Sequence, residues 1–217
     1  MQRMIVLAAS GAAFIALSQP AAADPTPECN NGVEPGSLEC GTDSSATAAG
    51  AQAVGTASVA SGANSTAVGN ATTASGLASV SLGSQTVASG TAATALGHNA
   101  DATALGTTAT GVSAQATANF ATSLGRLANA SAIGSTSLGN QSAASALGSV
   151  ALGQVSLASG DNAVALGTES VASGLSAVAV GFQTVASGTA STALGHNSDA
   201  TALATTVLAA NGPSVRT

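Results

Sequence analysis

The chain contains 217 residues, of which 26 are glycine and only three are phenylalanine, and it has neither tryptophan nor tyrosine. Hydrophobic residues make up 45% of the sequence, mainly through alanine, so a conventional aromatic core is excluded and burial must come from many small, close-packed contacts. Nine acidic residues and three arginines, with no lysine, give a net charge of −6. Binding to nucleic acids or to anionic membranes needs clustered positive charge, which this chain lacks, so both kinds of partner are excluded.

Residues 1–23 predict a signal peptide for export. Arg3 supplies the positive start, residues 4–17 form an apolar segment, and the alanines at 21–23 form a small-residue cleavage site. The apolar segment is shorter than the roughly 20 residues that a membrane-spanning helix needs. We therefore expect cleavage, a mature chain that begins at Asp24, and no direct membrane span in that chain.

An acidic segment at residues 24–44 follows, with five acidic residues, three prolines, both cysteines and no basic residue. Cys29 and Cys40 lie eleven positions apart, which in an exported protein predicts a local disulfide. A zinc site is a poor alternative, because two thiolates without further cysteine or histidine fall short of the four ligands that structural zinc takes. We interpret the segment as separate from the repeat that follows it.

Glycine then recurs every fourteen residues in eleven unbroken copies. These predicted turn glycines are Gly55, Gly69, Gly83, Gly97, Gly111, Gly125, Gly139, Gly153, Gly167, Gly181 and Gly195. An aliphatic residue precedes each of them except Gly111, which follows Thr110. The aliphatic residues are Val54, Val68, Leu82, Leu96, Leu124, Leu138, Leu152, Leu166, Val180 and Leu194.

A period of fourteen residues predicts two short strands and two tight turns in each repeat. Helical-hairpin repeats need about 33 residues or more, and the glycine content with few glutamates and no lysine disfavours a coiled coil. Proline is absent between Pro35 and Pro213, as a hydrogen-bonded ladder requires. We predict an all-β fold, a parallel β-roll of about eleven rungs over residues 45–210, with a tail at 211–217.

Strand alternation predicts which side chains face the interior. Alanine stands five residues after every turn glycine, as at Ala60 and Ala74, and an alanine or serine column lies seven residues further on, as at Ala67. Both columns are expected to point inward, so that the residues before the glycines form an outward aliphatic stripe. A stripe of this length is normally covered, and we expect it to be the interface of an obligate oligomer.

The repeated strings resemble the head repeats of trimeric autotransporter adhesins, the YadA-like head. The resemblance covers about residues 53–209 and is clearest at residues 64–69 (Asn-Ser-Thr-Ala-Val-Gly) and 162–167 (Asn-Ala-Val-Ala-Leu-Gly). It implies a left-handed parallel β-roll, a homotrimer, and attachment to extracellular matrix protein or other cell surfaces as a virulence factor. The family implies the bacterial cell surface or outer membrane, but its neck, coiled-coil stalk and membrane anchor are not visible in this sequence. The alternatives are that the head is secreted, that a partner holds it at the surface, or that the reading frame is truncated.

Two nearly identical blocks, residues 85–108 and 183–206, each carry a Gly-His-Asn string with a following aspartate. His98 with Asp101, and His196 with Asp199, could form metal or acid–base pairs, but glycine and asparagine favour a tight turn. We interpret both strings as turns. We expect no catalytic, cofactor-binding or metal-ligating residues and no enzymatic activity. We place Phe120 at a rung corner, where it plugs or caps the stack, and the less favoured alternative is a binding hot spot.

Three functions stay open from the sequence. The first is adhesion by a trimeric head, and the second is a structural or self-associating surface solenoid without a host ligand. The third is ice binding through outward threonines. Ice binding is the least favoured, because Thr66 and Thr94 share their column with valines such as Val80.

Overall fold

The computed structural model describes residues 29–209 and 215–216. The predicted signal peptide lies outside the described residues. Within the described part, the chain is built from short strands and turns and contains no helix.

Twenty-seven strands follow one another within the described residues. In order they are β1 (Cys29–Asn31), β2 (Leu38–Cys40), β3 (Ser45–Ala46), β4 (Gln52–Val54), β5 (Val59–Ala60), β6 (Thr66–Asn70), β7 (Thr73–Ala74), β8 (Val80–Ser84), β9 (Val87–Ala88), β10 (Thr94–His98), β11 (Asp101–Ala102), β12 (Thr108–Thr110), β13 (Gln115–Ala116), β14 (Thr122–Leu124), β15 (Asn129–Ala130), β16 (Thr136–Leu138), β17 (Ala143–Ala144), β18 (Val150–Leu152), β19 (Leu157–Ala158), β20 (Val164–Leu166), β21 (Val171–Ala172), β22 (Val178–Val180), β23 (Val185–Ala186), β24 (Thr192–Gly195), β25 (Asp199–Ala200), β26 (Thr206–Ala209) and β27 (Val215–Arg216).

The strands form two sheets that the chain visits alternately. The even-numbered strands, with β1 and β27 at the ends, make a 15-stranded long sheet, and the odd-numbered strands β3 to β25 make a 12-stranded short sheet. Apart from the end pairs, all pairing is parallel and offset by fourteen residues, as in Val68 opposite Leu82 and Ala74 opposite Ala88. The predicted parallel β-roll is confirmed, with about twelve coils instead of about eleven.

The extra coil comes from the cysteine-containing segment. β2 pairs in parallel with β4, with Cys40 opposite Val54, so the boundary expected at residue 45 falls inside the ladder and the acidic segment is not separate from the roll. Gly41 lies fourteen residues before Gly55, in phase with the turn glycines. The period is hidden in the sequence because Cys40 and Glu39 replace the aliphatic residue and the alanine of the other coils.

The long sheet ends in antiparallel pairs at both ends. β1 lies antiparallel to β2, with Cys29 opposite Cys40, and β27 lies antiparallel to β26. The two cysteines are joined by a disulfide in the structure, with their Cα atoms 4.2 Å apart. Beside them, the backbone N–H of Ala46 donates to Glu39 Oε1 over 2.7 Å. Ala46 lies in β3, at the end of the short sheet, where the described residues form no preceding strand of that sheet to accept its N–H. The Glu39 carboxylate is the acceptor instead.

In the coils between β3 and β25, which we call the regular coils, the interior between the sheets holds only small side chains. In the last coil Val207 takes the inward position next to Ala193. The two predicted inward columns are confirmed, since residues such as Ala60, Ala67 and Ala74 are fully buried. Two further inward columns were not predicted. They precede the strands, as at Ser58 and Ser65, and contain serine, threonine or alanine that is buried in nearly every coil.

Most of the buried hydroxyls bond locally. Ser58 Oγ donates to the Gly55 carbonyl over 3.1 Å, Ser170 Oγ donates to the Gly167 carbonyl over 2.9 Å, and the hydroxyls of Ser81 and Thr86 lie 2.8 Å apart across the interior. Such bonds offset the cost of removing a hydroxyl from water. Where these columns carry a bonded hydroxyl, it ties the turn to its own coil, whereas the hydroxyls of Ser65, Thr72, Ser79 and Ser191 are buried without a partner.

The turns continue the hydrogen bonding from coil to coil. Twenty non-glycine residues have positive φ, one at most turns, including Asn64 at 56° and Asn99 at 54°. This conformation directs the N–H along the stack, so Asn64 N donates to the Ala49 carbonyl over 2.9 Å and Ala71 N donates to the Thr56 carbonyl over 2.8 Å. Four of the twenty are asparagine, which tolerates this conformation well, but six are alanine, so residue type marks these positions in only part of the coils.

The turn glycines meet a second constraint, which is the closeness of the next coil. Gly69 has φ of 133°, and a Cβ there would overlap the carbonyl oxygen of Gly83. Glycine is therefore needed both for the backbone angle and for the approach of stacked backbones. We call the turn that contains this column, such as residues 69–71, the glycine turn, and the other, such as residues 76–78, the opposite turn.

We predict that Gly69→Ala destabilises the roll far more than Gly134→Ala. Gly134 also has positive φ, at 66°, but nothing lies within 4 Å of an added Cβ, so its replacement should cost about 1–2 kcal/mol through backbone strain alone. Gly69→Ala adds overlap with backbone and should exceed about 3 kcal/mol. Thermal unfolding followed by circular dichroism checks this order. Equal losses in the two variants would contradict the close approach.

Candidate interaction surface

The outward face of the long sheet carries the predicted aliphatic stripe. Its residues fall on successive strands at the same register position, and five are exposed: Leu82, Leu96, Leu138, Leu166 and Leu194, each at 40–44%. The other five are half-buried: Val54, Val68, Leu124, Leu152 and Val180. Neighbours in the stack shield them only in part, because strands lie about 4.8 Å apart. The stripe is thus a continuous apolar ridge with one polar interruption, at Thr110.

A second column runs parallel to the aliphatic stripe on the same face. It contains threonine or valine two residues before every stripe residue except Val54, which follows Gln52, and these residues, such as Thr66, Val80 and Thr94, are half-buried or exposed. Threonine and valine both present methyl groups outward. The long sheet therefore shows an apolar face two columns wide along the roll.

The outward face of the short sheet has the opposite character. It carries an unbroken column of exposed hydroxyl residues, one in each of twelve coils: Thr47, Ser61, Ser75, Ser89, Thr103, Thr117, Ser131, Ser145, Ser159, Ser173, Ser187 and Thr201. The neighbouring column is mixed and includes Val59, Asp101 and Asn129. Among the described residues, Leu157 is the one exposed large hydrophobic side chain on this face. This is the hydrated side of the roll.

The two Gly-His-Asn strings lie at glycine turns. Asn99 and Asn197 have positive φ of 54° and 55°, and the ring of His196 stacks on Phe182 with centroids 5.3 Å apart. Burial raises the pKa of Asp101 above its ordinary value. Within residues 29–209 and 215–216, no group of three histidine, cysteine, aspartate or glutamate side chains could hold a metal ion. The strings thus have the geometry of turns.

Phe120 lies at an opposite turn, the corner at which it was placed, but it does not cap the stack. Its φ is 60° and its side chain is 60% exposed. The ring lies over the preceding coil, where a Cβ on Gly106 would meet it at 3.0 Å. Phe120 therefore adds to the apolar outer surface.

The model of the YadA head domain repeat matches this chain in seven overlapping or adjacent segments: residues 46–72, 74–100, 101–128, 130–156, 158–184, 172–198 and 186–206. The chain belongs to the YadA head repeat family. The matched segments cover nearly all coils of the roll, so the YadA-like roll is an adhesin-like head domain. Its family is that of an adhesin head and not of an enzyme.

The YadA-like head also aligns with a solved structure, the crystal structure of the collagen-binding domain of the Yersinia adhesin YadA. The alignment has 22% sequence identity and a TM-score of 0.45, and it covers 64% of this chain and 70% of that one. No curated protein sequence gives a significant match to the chain. Among the described residues of the YadA-like head, no helix is long and apolar enough to cross a membrane.

Proposed function

We propose that the chain is the head of an exported bacterial adhesin, which assembles as a homotrimer through the aliphatic stripe and attaches to extracellular matrix protein or to other cells. The match to the YadA head repeat over nearly every coil carries this proposal. The alternative is a structural or self-associating solenoid without a host ligand, and the binding experiment below would favour it if the chain binds none of the surfaces.

Export is supported by the amino-terminal sequence and by the cysteines. Residues 1–23 have the charge, apolar length and small-residue site of a signal peptide. The disulfide between Cys29 and Cys40 is of the kind that persists in oxidising compartments. We place the mature head at the bacterial cell surface, bound to the outer membrane, or in the secreted fraction, and we assign it a role in virulence.

The trimer is supported by the two unlike faces of the roll. Soluble monomers rarely expose a contiguous apolar patch of more than a few hundred Å², and the stripe with its parallel Thr and Val column runs through nearly all coils. A cyclic arrangement buries one identical face from every chain against the others. Three rolls around an axis would hide the long-sheet faces and leave the short-sheet faces in water.

The short-sheet face is then the surface that meets a ligand. Its exposed hydroxyl column repeats in twelve coils of each chain, so a trimer presents the same local surface many times. Repeated weak contacts raise the overall affinity through effective concentration, by roughly 10²–10⁴ for two linked sites. A fibrous matrix protein, which is itself repetitive, suits such a surface.

We predict that Leu138→Asp breaks the trimer and that Ser145→Asp does not. Leu138 lies in the middle of the stripe, between Leu124 and Leu152, so the variant would bring three carboxylates into an apolar interface, where charge burial is costly. Ser145 is exposed on the short sheet and provides the matched control. Light scattering after size exclusion should give trimer mass for wild type and control, and lower mass for Leu138→Asp.

Circular dichroism should show β-structure in all three proteins, since both substituted side chains point outward. A wild-type monomer would contradict the proposed trimer. A Leu138→Asp variant that keeps trimer mass and wild-type stability would contradict the stripe as its interface.

Adhesion is tested by binding of the mature chain to immobilised collagen, fibronectin and whole cells, against a blank surface. We expect the wild type to bind at least one of them above the blank. Replacing Ser131, Ser145 and Ser159 together by aspartate should abolish this binding. Leu138→Asp should weaken it at least tenfold, because the loss of the trimer removes avidity. The triple variant should keep trimer mass. Binding to none of these surfaces would favour the solenoid without a host ligand.

A further inference from the structure

Large apolar side chains are also exposed on both narrow sides of the roll, away from the aliphatic stripe. The opposite turns carry a row formed by Leu77, Leu105, Phe120, Ile133, Leu147, Leu175 and Leu203, with exposures of 42% to 74%. The glycine turns carry a second row formed by Val112, Leu127, Val155 and Phe182, with exposures of 41% to 47%. Neither row is expected at a turn in water, where polar residues dominate.

Several of these residues adopt a backbone conformation that suits them poorly. Phe120, Leu127 and Val155 have φ of 60°, 57° and 56°, and for bulky or β-branched residues the left-handed region is disfavoured. Other coils place smaller or polar residues at the same positions, as at Gly134, Ala71 and Asn197. The turns require this conformation in most coils, because the N–H of the residue with positive φ donates to the preceding coil, so bulky side chains at these positions add strain that the fold of one chain does not need.

The remaining side of the roll is nearly free of such residues. Among the described residues, exposed large hydrophobic side chains lie on the long-sheet face, on the two turn rows and at Val33, whereas the short-sheet face has one, Leu157. The apolar surface therefore wraps around three of the four sides. A contact that buries the long-sheet face alone would leave both turn rows in water.

We infer that the two turn rows form the seams of the trimer, with the opposite turns of each copy packed against the glycine turns of the next. This inference rests on the proposed trimer. The aliphatic stripe follows the length of the roll, so covering it requires the three rolls to lie parallel to the threefold axis. Each copy then turns one narrow side to one neighbour and the other narrow side to the other, which is a heterologous contact.

Rotation about the threefold axis keeps the same coil of each copy at the same height along the axis. Apolar residues of the two turn rows lie at nearly the same heights. Leu147 and Val155 lie on either side of strand β18, about half a coil or roughly 2.4 Å apart along the axis. The pairs Leu105 with Val112 and Leu175 with Phe182 have nearly the same spacing, one residue shorter in each case. Apolar turns of one copy thus meet apolar turns of its neighbour in several coils.

Cysteine cross-linking tests the seam in the full mature chain. The described residues contain no free cysteine, so Leu147→Cys/Val155→Cys provides the reactive thiols, and a short homobifunctional maleimide joins them. Within one chain, positions 147 and 155 lie on opposite sides of the roll. The three-residue strand β18 and its flanking turns separate them by roughly 10 Å or more. We expect covalent dimers and trimers from the double variant on denaturing gels, and only covalent dimers from a mixture of the two single variants.

The matched control is Leu77→Cys/Val155→Cys, in which the first thiol stays on the same side but moves five coils, or about 24 Å, along the axis. We expect no cross-linking in this control or in either single variant alone. A wild-type trimer whose Leu147→Cys/Val155→Cys variant does not cross-link would overturn the seam and leave the trimer intact. Self-cross-linking of Leu147→Cys alone would indicate an isologous contact and also overturn it. A monomeric wild type would instead contradict the proposed trimer.

Discussion

The closeness of one coil to the next determines most of this structure. Backbones that stack in parallel leave no space for a Cβ in the glycine-turn column, where Gly69 meets the carbonyl of Gly83. The two sheets also approach so closely that the regular coils bury only alanine, serine and threonine. Backbone hydrogen bonds and small-residue contacts repeated coil after coil therefore replace the large hydrophobic core of an ordinary domain.

A thin interior has consequences for the outside of the roll. Between β3 and β25 it holds no leucine or valine, and a valine enters only in the last coil, at Val207, so the aliphatic residues that the repeat carries point outward, as Leu82 and Leu138 do. In the proposed trimer other copies of the chain cover them, which would link the assembly of the head to the same constraint that builds each coil. The hydroxyl column of the short sheet is compatible with water and leaves that face available for ligands.

The sequence predicts the features that depend on a single residue in each period. The glycine at every fourteenth position, the invariant alanines and the stripe before the glycines gave the roll, its interior and its apolar face. The first coil was missed because Cys40 and Glu39 break two columns at once, although Gly41 keeps the phase. The buried Ser58 and Ser65 columns were missed because strand alternation applies only within strands, and these residues precede them. The apolar turn rows were missed because their columns mix leucine with threonine, asparagine and aspartate.

Small-angle X-ray scattering of the mature chain tests the central claim, which is that the roll is too thin to hide its own aliphatic residues and therefore packs side by side with two copies. Twelve coils at about 4.8 Å predict a length of roughly 60 Å. The forward scattering should correspond to three chains, with a maximum dimension near the length of one roll. A single-chain mass, or a three-chain particle near three roll lengths, would contradict the claim.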